Sequence, residues 1–155
     1  MRKIVVLLAS MSLAVLLASG VALAINQVDC SDNPDALCLG TPLNDEIKGT
    51  GSRDNIRARA GNDVVYAGGG NDLVYGHRGA DRLLAGQCYK DQMFGGSGDD
   101  TINVSDMCFF PAVVGGPGPE SVGDEAECGS GFDVVRGVDR YDRIAADCER
   151  IVRVS

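Results

Sequence analysis

The sequence predicts an all-β fold, a parallel β-roll or β-solenoid with disulfide-stapled terminal caps, and three observations predict it. Counting every ninth residue from Asp45 gives Asp54, Asp63, Asp72 and Asp81, while every ninth from Ile47 gives Ile56, Val65, Val74 and Leu83. Glycines gather just before each of these Asp residues, and β-branched, aliphatic or aromatic residues just after. A carboxylate and an apolar residue recurring two places apart at a fixed period mean that one structural unit is being repeated.

At the N-terminus, Met1 is followed by Arg2 and Lys3, an apolar run from Ile4 to Leu17, and the small-x-small triplet Ala22-Leu23-Ala24. That order predicts a cleavable secretory signal peptide over residues 1–24. The competing reading is a membrane anchor, because Ile4 to Ile25 carries no charge and is long enough to span a bilayer. Gly20 and the Ala22/Ala24 pair favour cleavage, and with it an exported chain without stable membrane insertion. The destination that follows is extracellular, or periplasmic. The formal net charge is −8, and losing residues 1–24 removes two of the 14 basic residues and none of the 22 acidic ones, leaving 12 − 22 = −10. Such a charge disfavours nucleic acid and anionic membranes, and no Lys/Arg stretch with interleaved aromatics offers a nucleic-acid footprint.

Residues 25–39 read as a short N-terminal cap, since the first coil of a stack must be covered. All six cysteines, Cys30, Cys38, Cys88, Cys108, Cys128 and Cys148, lie beyond the signal segment. An even count in an exported chain reads as disulfides. The sequence leaves the connectivity open, and the simplest pattern joins neighbours: Cys30 to Cys38, Cys88 to Cys108, and Cys128 to Cys148. No C-x-x-C or Cys/His cluster has the spacing of a zinc site.

Residues 40–104 fall into lines of nine: GTPLNDEIK from Gly40, GTGSRDNIR from Gly49, ARAGNDVVY from Ala58, AGGGNDLVY from Ala67 and GHRGADRLL from Gly76. AGQCYKDQMF from Ala85 carries one extra residue, and GGSGDDTIN from Gly95 restores the frame. The sixth place is Asp in every line, counting Asp91 after the insertion, and the eighth is aliphatic or Met. Gly at the first, second and fourth places suits a turn needing positive φ or close backbone approach. The last three places, as in Val64-Val65-Tyr66, suit a short strand. With one inward residue per repeat, the only core comes from stacking Ile47, Ile56, Val65, Val74, Leu83, Met93 and Ile102 across successive coils. Tyr66, Tyr75, Leu73, Val64 and Leu84 then face outward.

The lines AGGGNDLVY and GGSGDDTIN resemble the glycine-rich nonapeptide G-G-x-G-x-D-x-U-x of the hemolysin-type, or repeats-in-toxin, calcium-binding family. The resemblance covers residues 40–104. It implies that the sixth-place Asp is the metal's side-chain ligand and that the first six places supply main-chain oxygens. On the lines that match, this points to Asp63, Asp72, Asp81 and Asp100, with Gly61, Asn62, Gly68, Gly70, Asn71, Gly79, Gly96, Gly98 and Asp99 in the turns. Asp45 and Asp54 belong to the same series, in lines where Leu43 and Ser52 replace the fourth-place Gly.

The residues point the same way by physics. If the chain goes round once per two repeats, Asp45, Asp63, Asp81 and Asp100 line one edge, and Asp54, Asp72 and Asp91 the other. Carboxylates stacked at ~4.8 Å repel by about 3.5 kcal/mol at an effective dielectric near 20. A hard divalent cation between turns reverses the sign. Ca2+ accepts such a set of carboxylate and carbonyl oxygens, whereas Mg2+ demands tighter octahedral geometry and keeps its waters. Calcium binding coupled to folding is the expectation.

Residues 105–127, rich in Pro, Gly and acids, read as a loop. Residues 128–155 carry two degenerate repeats, CGSGFDVVR with Asp133 and GVDRYDRIA with Asp142, closing into a C-terminal cap. Asn103-Val104-Ser105 is a glycosylation acceptor where the source modifies such sites. A catalytic module finds no support: the only histidine, His77, sits in a repeat turn, and H-E-x-x-H, G-x-S-x-G and G-x-x-x-x-G-K-[ST] are absent. The expected function is a secreted calcium-binding module, structural or binding rather than enzymatic. The alternative is a component associated with a toxin or enzyme, its activity in residues 105–155 or in a partner chain.

Overall fold

The computed structural model describes residues 25–32, 37–87, 89–105, 123–138 and 140–153. The expected signal segment 1–24 and the expected pairing of Cys88 with Cys108 lie outside the described residues. Among the described residues, no helix is long and apolar enough to cross a membrane.

Thirteen strands follow in order among these residues: β1 Asn26–Asp29, β2 Leu37–Leu39, β3 Asp45–Lys48, β4 Asn55–Ala60, β5 Val64–Gly69, β6 Leu73–Arg78, β7 Arg82–Gln87, β8 Gln92–Ser97, β9 Thr101–Asn103, β10 Glu125–Ser130, β11 Val134–Val138, β12 Arg143–Ile144 and β13 Arg150–Arg153. Odd-numbered strands form one sheet, ordered β1-β3-β5-β7-β9-β11-β13, and even-numbered strands the other, ordered β12-β10-β8-β6-β4-β2. Pairing is parallel throughout, as in Val65 opposite Leu83 and Val74 opposite Met93. Each coil therefore spends one repeat in each sheet, and the fold is a parallel β-solenoid of about six turns.

The core is a pair of inward columns. Ile47, Val65, Leu83, Ile102 and Val135 stack under one sheet, and Ile56, Val74, Met93 and Ala126 under the other, all with no exposure. The strands are longer than the three residues the sequence pattern suggests. In β5, for example, burial alternates through Val64–Gly69, so Ala67, the first place of the next repeat, is a second inward residue. Ala58, Ala85, Val104 and Cys128 do the same. The pleat's period of two carries the strand through places that look like turn because they are small; small size there serves close packing between the sheets.

The disulfides Cys30–Cys38 and Cys128–Cys148 join sequence neighbours near the two termini of the stack. The expected loop 105–127 needs a correction at its C-terminal end. β10 begins at Glu125, and Asp124 and Ala126 are fully buried, so a coil has resumed before Cys128. The Pro/Gly-rich run upstream masked a line that keeps Asp sixth and a small apolar residue eighth but lacks Gly at the first, second and fourth places.

Candidate metal centre

The two-repeats-per-coil winding stacks the Asp residues on two edges, and hydrogen bonds tie each stack. The backbone N–H of each Asp donates to Oδ1 of the Asp one coil further on. On one edge this links Asp45 to Asp63 at 2.8 Å, Asp63 to Asp81 at 2.9 Å, Asp81 to Asp100 at 2.8 Å and Asp100 to Asp133 at 2.7 Å. On the other it links Asp54 to Asp72, Asp72 to Asp91 and Asp91 to Asp124, each at 2.8 Å, and then Asp124 to Asp142 at 3.0 Å. Glu149 ends the first ladder by accepting from the Asp133 N–H at 2.8 Å.

Each rung occupies one carboxylate oxygen, and the other separates two kinds of Asp. Oδ2 of Asp63, Asp72, Asp81, Asp100 and Asp133 is buried without a hydrogen-bond donor among the described residues. A buried carboxylate oxygen without a donor is costly. Asp45 and Asp54 differ. Oδ2 of Asp45 accepts from the Thr41 N–H at 2.6 Å and the Thr41 hydroxyl at 3.1 Å, and Oδ2 of Asp54 accepts from the Thr50 N–H at 2.6 Å and hydroxyl at 3.0 Å. Thr at the second place of the first two repeats thus caps both ladders.

The turn residues divide in the same way. Side-chain Oδ1 of Asn62 accepts from the Ala80 N–H at 3.0 Å, Asn71 from Lys90 at 3.2 Å, and Asp99 from Phe132 at 2.8 Å. These fifth-place side chains zip the coils in the opposite sense to the Asp ladder, so what they offer a metal is main-chain oxygen. Gly61, Gly68, Gly70, Gly79, Gly96 and Gly98 all have positive φ. A Cβ on Gly79 would lie 1.7 Å from the Gly61 carbonyl oxygen, and one on Gly98 would lie 2.2 Å from that of Gly79. Carbonyl oxygens of one coil therefore point at the bare Cα of the next, a cradle that any side chain would fill.

Burial raises the pKa of the ladder carboxyls: Asp63 and Asp100 to about 6, Asp81 to about 7 and Asp72 to about 8. The rung hydrogen bond pulls each down, and neighbouring ladder charges, such as Asp91 and Asp54 for Asp72, push it up again.

Orphaned carboxylate oxygens among converging carbonyls form an all-oxygen donor set, which suits Ca2+. Residues 39–74, 48–83 and 89–105 match the model of the RTX calcium-binding nonapeptide repeat. Over those residues the chain carries the repeats of that family. No curated protein matches the chain. RTX repeats bind Ca2+ within a β-roll, and the orphaned Asp oxygens are where this roll has donors to give. The ion supplies the positive charge that lets the stacked carboxylates stay ionised while buried.

Asp124 and Asp133 stand in the ladders beyond the matched RTX repeats. Counting nine back from Asp142 reaches both; Asp133 is legible in its own glycine-bearing line, whereas the line of Asp124 lacks Gly at the first, second and fourth places. The Thr caps lead to a prediction: Asp54→Asn leaves the number of bound calcium ions unchanged, whereas Asp72→Asn lowers it. Stoichiometry by isothermal titration calorimetry checks this, and equal losses in both variants would contradict the capping role.

Proposed function

We propose that this RTX protein is exported and serves outside the cell as a non-catalytic structural or binding module that calcium folds. The observation that carries it is the row of buried Oδ2 atoms without donors. Without metal, like charges at coil spacing oppose closure of the roll, and the Gly-rich turns lose much chain entropy on ordering. Calcium offsets both, so binding is coupled to folding and the metal-free roll is only marginally stable. External calcium in the range of ~10⁻⁴ to 10⁻³ M suits such modules. The apolar N-terminal stretch and the cysteine pairs support export into an oxidising compartment. The absence of a catalytic constellation from the sequence supports the non-enzymatic role.

Far-UV circular dichroism of the disulfide-intact protein tests it. Titrating calcium into the EDTA-treated protein is expected to produce a cooperative gain of β signal that magnesium at the same concentration does not reproduce. A spectrum already fully β in EDTA, with a melting temperature indifferent to calcium, would sink the proposal.

A further inference from the structure

Two residues in this roll hold backbone conformations that L-residues avoid. Arg59 has φ 88° and His77 φ 79°, and they are the non-glycine residues with positive φ among the described residues. Both occupy the second place of a repeat on the same edge. At that place the other edge has Gly68 and Gly86, and later coils have Gly96 and Gly129, all with positive φ. Glycine adopts this conformation freely, whereas a side chain there costs of order 1 kcal/mol. Such an outlier points to a use for the side chain.

Contacts inside the protein do not supply that use for Arg59. Among the described residues, Arg59 reaches only the Gly40 carbonyl, at 3.4 Å, and Lys48–Glu46 is the ion pair, so Arg57, Arg59 and Arg78 have no carboxylate partner. His77 stacks on Tyr75, which is itself sandwiched between Phe94 and the Arg57 guanidinium. Arg59, His77 and Arg78 are exposed and converge on one open groove of about 590 Å³ that runs from Pro42 to Ser97. That groove crosses four coils, about 14 Å at the spacing of paired strands.

We infer that this groove binds a strand of anionic polysaccharide, its carboxylate or sulfate groups pairing with Arg59 and Arg78. An open trough with cations on neighbouring coils suits an extended chain carrying regularly spaced charges. A peptide would have no advantage, because β4, β6 and β8 are each paired on both sides and offer no free strand edge for main-chain pairing. The inference rests on the calcium reading: β4 and β6, which carry Arg59 and His77 near their ends, lead into the turns of Asp63 and Asp81, whose charge keeps the groove from attracting an anion until calcium is bound. Glycan binding is therefore calcium-dependent and weakens with salt.

The test uses fluorescence anisotropy with labelled heparin and hyaluronate hexasaccharides and a poly-glutamate peptide, in calcium and in EDTA, with circular dichroism on the same samples. The expected result is calcium-dependent binding of one or both glycans. Arg59→Gly weakens it about tenfold, the loss of one charge-assisted contact, while raising the melting temperature by relieving the backbone. Arg78→Ala weakens binding at unchanged melting temperature. A purely structural Arg59 would give a lower melting temperature in the Gly variant and unaltered binding, which overturns the inference. So does tighter binding of poly-glutamate than of either glycan, or a calcium-folded roll that ignores both glycans. A protein that does not fold with calcium fails instead at the metal reading, and the dichroism separates the two failures.

Discussion

Replacing Asp81 by Asn is expected to stabilise the metal-free roll and destabilise the calcium-loaded one, a reversal of sign at a single position. Asp81 stands mid-ladder, accepting at Oδ1 from the Asp63 N–H and donating its own N–H to Asp100. Asn keeps a carbonyl oxygen for the first bond and its backbone keeps the second. What it removes is one buried charge between two others. In EDTA that removal relieves desolvation and repulsion, the causes that lift the Asp81 pKa to about 7, and stability should rise by about 1–2 kcal/mol, the scale on which a displaced pKa feeds into folding. In calcium the same change deletes a charged ligand and costs several kcal/mol of metal-linked stability. Asp81→Ala behaves differently, because it also strips the acceptor from a buried N–H. It should be about 1–3 kcal/mol less stable than Asp81→Asn in EDTA, and less stable than it in calcium too. Urea denaturation of the three proteins in both conditions checks the pattern; a loss of stability for Asp81→Asn in EDTA would contradict it.

Much of this was legible in the residues, because a repeat protein writes its packing once per coil. The nine-residue period placed Asp63, Asp81 and Asp100 on one edge and Asp72 with Asp91 on the other, and the structure puts them there. The eighth-place aliphatics became the core for the same reason. What escaped was whatever broke composition without breaking geometry. Asp124 sits in a line without Gly at the first, second and fourth places, so the loop-like run before it dominated the reading. The second inward residue of each strand escaped because Ala and Gly carry no strong hydrophobic signal, although Ala67 and Ala85 are as buried as Val65. The caps Thr41 and Thr50 escaped for another reason. A hydroxyl reaching a carboxylate four residues on is a three-dimensional fact, and only the contrast between satisfied and orphaned Oδ2 atoms gives it meaning.

That contrast also explains how the stack ends. An open ladder would expose its last carboxylates and N–H groups, and the two termini solve this differently. Thr41 and Thr50 supply donors to the first Asp on each edge. At the far terminus the Glu149 side chain takes the last Asp133 N–H, and Asp147 accepts from the Gly129 N–H at 2.9 Å. The Cys128–Cys148 bond joins this terminal segment to the coil it covers. Stacks of repeats need ends unlike their middles, and here the first Asp on each edge has its Oδ2 satisfied by Thr, whereas Oδ2 of Asp63, Asp72, Asp81, Asp100 and Asp133 has no donor among the described residues.

Proton and calcium should compete for the interior coils, with opposite slopes in the two states. The folded-state pKa values of Asp63, Asp72, Asp81 and Asp100, about 6 to 8, lie above the unfolded carboxylate value of 3.8. In EDTA the folded roll therefore holds more protons than the unfolded chain. Its stability is greatest below pH 4, falls as the pH rises through the interval from 4 to 8, and levels off above. Calcium needs the ionised ligands, so its affinity is full above about pH 8 and drops about tenfold per pH unit for each ligand that protonates below its pKa. The stabilisation that saturating calcium adds should accordingly grow from pH 5 to pH 8 while the EDTA baseline declines. Melting temperatures across that range, with and without calcium, give both slopes. Calorimetric titrations near pH 7 in buffers of different ionisation enthalpy should register proton release on binding. An EDTA baseline that climbs with pH, or calcium binding that releases no protons near pH 7, would mean that the ladder carboxyls are ionised before the metal arrives and that burial in the roll does not hold them protonated.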